Sequence, residues 1–160
     1  MFAGDATVLT LASGCHDAVR QSLGARTIDA VAFLAAHADA LHFRAADTRV
    51  ALHLPCTARD ARPLRALLAR VPGLEVVVLD AGTGCCGAAG SQQFTDPARA
   101  ARFRAPLLAQ AGAAGVTRVL SANLGCRLHL AQGTALAVEH PLEFLHRHLT
   151  VPPTAAPGAA

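Results

Sequence analysis

Five cysteines and eight histidines stand in a chain of 160 residues, and four of the cysteines form a sparse pattern: Cys56, the vicinal pair Cys85 and Cys86, and Cys126. Between them lie 28 and then 39 residues, and His129 follows Cys126 by three positions. Thiolates are soft ligands for zinc and for the irons of iron–sulfur clusters, and an imidazole can stand beside them. Successive side chains diverge, so a vicinal pair serves one small tetrahedral ion poorly, whereas a cluster of several irons offers each sulfur its own metal atom. Gly84 and Gly87 flank the pair; glycine tolerates positive φ and lets the backbone approach a bulky anionic group. His129 lies one turn beyond Cys126 on an expected helix, on the same face, and a helix N-terminus favours thiolate. Iron–sulfur ligation fits these residues best. The candidate ligands are Cys56, Cys85, Cys86, Cys126 and His129, with Cys15 as a further one.

Other readings of the same residues stay open. A Cys3His zinc site would use three of the thiols and His129, although zinc cysteines usually come in closely spaced C-x2–4-C pairs. The Cys85–Cys86 pair could cycle as a dithiol, although vicinal disulfides are strained. Thiols also serve as small buried hydrophobes with no chemistry at all. Gly82, Gly84 and Gly87 satisfy a G-x-G-x-x-G dinucleotide fingerprint, but no helix is expected to open at the third glycine and no acidic residue follows on a later strand. His53 and His140 fall beside strand ends and are placed to line a site, whereas His37, His42, His146 and His148 read as surface residues.

The elements that would position these groups alternate. Val- and Leu-rich runs at 6–11, 49–54, 74–79 and 115–121 read as buried strands, and helical patterns fall at 15–23, 27–38, 60–70, 97–111 and 141–149, with Asp96-Pro97 as a cap followed by proline at the first helical position. Strands alternating with helices predict an α/β fold: a layered, largely parallel sheet with helices on both faces. Cys56, Cys85, Cys86 and Cys126 each follow a strand, and a parallel sheet gathers such loops at the carboxyl ends of its strands.

Residues 8–15 align with 119–126, and at the same offset of 111 Phe33-Leu34 aligns with Phe144-Leu145. Two matches in one register point to a duplicated strand, Gly-Cys turn and helix. On this reading residues 1–48 are the tail of a first repeat packed on the next, 49–150 are a complete unit, and 151–160 are a disordered tail. The region before residue 1 would then belong to the rest of the first copy.

Composition removes several function classes. With 52% apolar residues and a mean hydropathy of +0.36, the chain can bury a core. Aromatics are 4%, with no Trp or Tyr, which removes the stacking platforms of single-strand nucleic-acid binders. All 14 basic residues are Arg, so no Lys is present for a Schiff base or a phosphate loop. No apolar run reaches the ~18–20 residues of a membrane helix. The Leu11–Cys15 stretch mimics a lipoprotein cleavage site but lacks a basic leader, Asp5 being the only charge before it. An odd number of cysteines without a signal fits a reducing, cytoplasmic compartment.

Taken together, Ala12-Ser13-Gly14-Cys15, His53-Leu54-Pro55-Cys56-Thr57, Cys85-Cys86-Gly87-Ala88-Ala89-Gly90, Asn123-Leu124-Gly125-Cys126-Arg127-Leu128-His129-Leu130 and His140-Pro141-Leu142-Glu143-Phe144-Leu145 resemble a known family. It is the cysteine-rich CCG domain of heterodisulfide reductase catalytic subunits, lactate-utilisation iron–sulfur proteins and, most closely, glycolate oxidase iron–sulfur subunits. The resemblance covers about residues 6–148. It implies a second CCG domain, complete over 49–150, preceded by the tail of a first. The expected cofactor is a 4Fe–4S cluster, cubane or not. The expected role is electron transfer from a flavin-containing oxidase subunit, together with other iron–sulfur domains of the complex, in the cytoplasm or peripheral to the inner membrane through partners. The last ligand position, a cysteine in the reductase branch, is His129 here, which puts a five-thiolate cluster in doubt and disfavours heterodisulfide chemistry. A nitrogen ligand raises the potential, as in Rieske centres. A cluster-free assembly module, a zinc-binding remnant and a thiol redox domain are the alternatives.

Overall fold

Val50, Ala51 and Leu52 are all fully buried, the pattern of a strand covered on both faces. The computed structural model describes residues 4–58 and 60–150, so the expected tail at 151–160 lies outside the described residues. Its elements are β1 (Val8–Thr10), α1 (Ser13–Leu23), β2 (Thr27–Asp29), α2 (Ala30–Ala36), β3 (Thr48–His53), α3 (Arg62–Ala69), β4 (Leu74–Leu79), α4 (Gln92–Thr95), α5 (Pro97–Ala113), β5 (Arg118–Ser121), α6 (Leu124–Ala131), β6 (Ala137–Glu139) and α7 (Pro141–His148). Four strands form one sheet in the order β4-β3-β5-β6, every neighbouring pair parallel, while β1 and β2 form a separate parallel pair.

Strand alternation sorts the core into two layers. Val50, Leu52 and Leu120 face one side and pack with Val31, Leu64, Leu67, Leu68, Phe144 and Leu145 from α2, α3 and α7. Ala51 and Val119 face the other, against Leu107 and Ala111 of α5 and Leu130 of α6. The fold is thus the layered α/β arrangement that the sequence pattern implies. The chain leaving β3 turns to a helix on one face and the chain leaving β5 to a helix on the other. Their loops part, and a crevice opens at the carboxyl ends of these neighbouring strands, the usual ligand position in such sheets.

The sequence pattern assigns 27–38 to a single helix, but the structure divides it. Thr27-Ile28-Asp29 is strand β2, and the Asp29 carboxylate caps α2 by accepting from the N–H groups of Val31 and Ala32 at 2.9 and 3.1 Å. Two β-branched residues ahead of a strong capping residue are the local reason. Strand β6 escapes the pattern because three residues carry no readable alternation. The offset of 111 reappears in the pairing: Val8 opposes Thr27 and Leu9 opposes Ile28, while Val119 opposes Val138 and Leu120 opposes Glu139. Asp29 and His140, the caps of α2 and α7, are related by the same shift.

His140 holds the two parts together. Its Nδ1 accepts from the Leu142 N–H at 3.1 Å, which requires the proton on Nε2, and Nε2–H donates to the Leu11 carbonyl at 2.8 Å. Burial lowers the pKa of this ring; the Leu11 carbonyl, Glu143 and Asp29 oppose the shift and Arg127 adds to it. Protonation would place a second N–H against the Leu142 donor. Since the unfolded chain takes up that proton more readily, the stability contributed by His140 is whole above the ordinary imidazole value of 6.5 and is lost as pH falls through the depressed folded value. Urea midpoints measured at about pH 7.5 and about pH 5.5 should therefore fall further for the native chain than for His140→Asn, which caps without titrating; equal falls would refute the assignment.

Candidate metal centre

β3 and β5 end level with one another, so their last residues, His53 and Ser121, are register partners. Both side chains point to the α5 and α6 face, and both are buried, with His53 Nδ1 3.0 Å from Ser121 Oγ. Cys126 sits in the first turn of α6 and Cys86 in the loop after β4; they are 7% and 2% exposed. A ring nitrogen of His53 and the sulfurs of Cys86 and Cys126 all lie within 4.8 Å of one another.

Each loop is held by local chemistry. Asn123 caps α6, its Oδ1 accepting from the Cys126 N–H at 3.3 Å, and its Nδ2 donates to Thr57 Oγ1 at 3.3 Å, beside Cys56. The loops after β3 and β5 are thereby tied together. The N-terminus of α1 joins them: Ser13 Oγ lies 2.9 Å from Thr57 Oγ1, the Ser13 N–H donates to the Ala122 carbonyl at 3.3 Å, and a Cβ on Gly14 would stand 2.5 Å from Asn123 Nδ2. Cys15 follows directly and is exposed. In the Cys85–Cys86 turn, Gly87 has φ +93°, and a Cβ there would collide with the Ala100 carbonyl oxygen of α5 and lie 3.0 Å from Phe103 Cβ. Only glycine lets this turn lie flat on α5. The Gly87 N–H donates to Cys85 Sγ at 3.3 Å.

Cys56 lies near Cys85, and Cys86 near Cys126, so the thiols influence one another's ionisation. Within the buried pair the neighbouring Cys126 lowers the Cys86 pKa against the cost of burial, with help from His53 and the backbone at Ala88. The Cys126 pKa is raised by its interaction with Cys86, by burial and by the negative charge of its neighbours. The Cys56 pKa is raised by burial and by the charge that Cys85 and Cys86 would carry. Full deprotonation thus calls for a cation among the sulfurs. A small cavity of about 30 Å³ bounded by His53, Leu79, Ala81, Gly84 and Cys85 lies beside Cys85. Soft sulfur donors with a shared need for positive charge fit a metal centre.

His129 has a different place. Its buried ring donates from Nε2 to the Ala100 carbonyl at 3.1 Å and receives Arg104 at Nδ1 at 3.3 Å, so both nitrogens are engaged in fastening α6 to α5. The structure brings Cys86 and Cys126 together with His53, which the sequence pattern placed only at the site's margin. The signal was present three residues before Cys56, where strand alternation sets residue 53 on the same face as Ala51.

A family model for the cysteine-rich CCG domain matches residues 50–131. The glycolate oxidase iron–sulfur subunit of Escherichia coli (strain K12) is 28% identical over 106 residues, covering 64% of this chain and 26% of that protein. One subunit of the anaerobic glycerol-3-phosphate dehydrogenase of the same strain is 36% identical over 86 residues, covering 52% of this chain and 21% of that protein. The chain thus spans about a quarter of the length of the curated relatives it matches. Among the described residues no helix is long and apolar enough to cross a membrane.

Burial predicts the order in which the metal-free thiols react with a maleimide: Cys15 and Cys56 first, then Cys85, and last Cys86 and Cys126. Gly87→Ala should cost about 1–3 kcal/mol in urea unfolding through backbone strain and the contact with α5. It should also bring Cys86 forward in the labelling order, as mass spectrometry of the labelled peptides would report; an unchanged order would refute the packing role of Gly87.

Proposed function

The chain belongs to the family of cysteine-rich CCG domains, and from that premise we propose that it carries an iron–sulfur cluster on Cys56, Cys85, Cys86 and Cys126 and passes electrons inside an oxidoreductase complex. The observation that carries this reading is the placement of four thiols just after the parallel strands β3, β4 and β5, with Cys86 and Cys126 gathered beside His53. When bound, the cluster supplies a one-electron redox centre. The protein's part is to hold the sulfurs through the Asn123 cap and the Gly87 turn, and to shield them on one side with α5 and α6. Exposed Cys56 marks the side open to a partner.

The glycolate oxidase relative supports a flavin-containing subunit oxidising a 2-hydroxy acid as the electron source, whereas the glycerol-3-phosphate dehydrogenase relative would favour a polyol phosphate in its place. In this reading residues 1–48 are the end of a further unit of the same kind, and 49–150 are the complete one. The matched register of the β1–β2 and β5–β6 pairs supports that division. So does the difference in cover: Leu9 of β1 is 46% exposed, whereas its counterpart Leu120, with β3 alongside, is fully buried. The open side of β1 would receive another iron–sulfur domain of the complex, and the assembly would work in the cytoplasm or against the inner membrane through its partners.

A second reading has its own observation. The close grouping of His53, Cys86 and Cys126 would also suit a single zinc ion. Anaerobic purification and reconstitution, followed by iron, acid-labile sulfide and zinc analysis, separates the two. The cluster reading expects about four irons and about four sulfides per chain and loss of most iron in Cys85→Ser and Cys86→Ser; zinc without sulfide would overturn it, and unchanged iron in the serine variants would overturn the ligand assignment.

A further inference from the structure

Two buried imidazoles stand near the cysteines, and they differ in what their nitrogens are free to do. His129 has both ring nitrogens bound, to Ala100 and Arg104. His53 has Nδ1 on Ser121 Oγ, which leaves Nε2 for the sulfurs of Cys86 and Cys126. Building on the cluster reading above, we propose that His53 is the nitrogen ligand of the centre, binding through Nε2 beside Cys86 and Cys126, while His129 only fastens the helix that carries Cys126.

The arrangement has the features of a built ligand. His53 ends the central strand of the sheet and is 3% exposed, so its ring is fixed by packing on both sides. Ser121 comes from the neighbouring strand in direct register, so the hydrogen-bonding partner of the ring is fixed as firmly as the ring itself. A hydroxyl both donates and accepts. In the metal-free chain Nε2–H can donate to the Cys86 thiolate while Ser121 donates to Nδ1. With Nε2 as a ligand, the neutral ring would carry its one proton on Nδ1, and that N–H would donate to the same Ser121 oxygen. Metal-bound histidines regularly hold such a partner on their second nitrogen. A neutral nitrogen among anionic sulfurs lowers the negative charge of the centre and raises its reduction potential.

The test uses the reconstituted full chain, with all histidines labelled with 15N, and pulsed EPR of the reduced cluster. The native chain should show one strongly coupled histidine nitrogen. That coupling should vanish in His53→Cys, which offers sulfur instead, and in His53→Asn, which keeps a polar group against Ser121, with iron and sulfide still bound in at least one of them. It should persist unchanged in His129→Gln. The reduction potential should fall in His53→Cys. A loaded cluster with no strong nitrogen coupling, or with coupling that survives both His53 variants or disappears in His129→Gln, overturns this proposal and leaves the cluster reading intact. Failure of the native chain to take up iron and sulfide overturns both.

Discussion

Four thiols cannot lose their protons side by side unless something positive lies among them. Ionisation of Cys86 is favoured by its neighbours Cys126 and His53, whereas the Cys56 pKa is raised by burial and by the nearness of Cys85 and Cys86, and that of Cys126 by Cys86 and by burial. Every element around the site serves this crowding. The level ends of β3 and β5, the Asn123 cap and the flattened turn at Gly87 hold together groups that would repel one another once charged. Binding of a metal there would be coupled to release of the remaining protons, with preorganisation as the protein's contribution.

The sheet explains why so few residues suffice. Its order, β4-β3-β5-β6, sends the connections after β3 and β5 to opposite faces and leaves their ends uncovered. The third loop, after β4, folds back over that opening because α5 lies on the same face and accepts the turn at Gly87. One packed layer therefore serves as hydrophobic core at Leu107, Val119 and Leu130 and as the wall of the site at Cys86 and Cys126.

The long features of the fold were legible in the sequence. Continuous apolar runs announced β3, β4 and β5, Asp96-Pro97 announced α5, and the cysteines announced themselves by falling just after strands. What escaped was short or relational. β2 and β6 have three residues each and depend on neighbouring strands for their identity. The different situations of His53 and His129 depend on register and on what α5 presents, since Ala100 and Arg104 lie 25 residues or more from His129 in the chain. A spacing of three on a helix puts two residues on one face but does not reveal what already occupies it.

The pairing of β1 with β2 alone leaves a strand edge whose backbone groups have no strand beside them among the described residues, with Leu9 and Leu11 exposed along it. Such an edge is a template for unwanted association as much as for a proper partner. Its protection is brevity: three residues offer too few hydrogen bonds to hold a chance neighbour. A fitting domain must therefore bring side-chain contacts of its own. The same economy that guards the chain against self-association makes the edge selective.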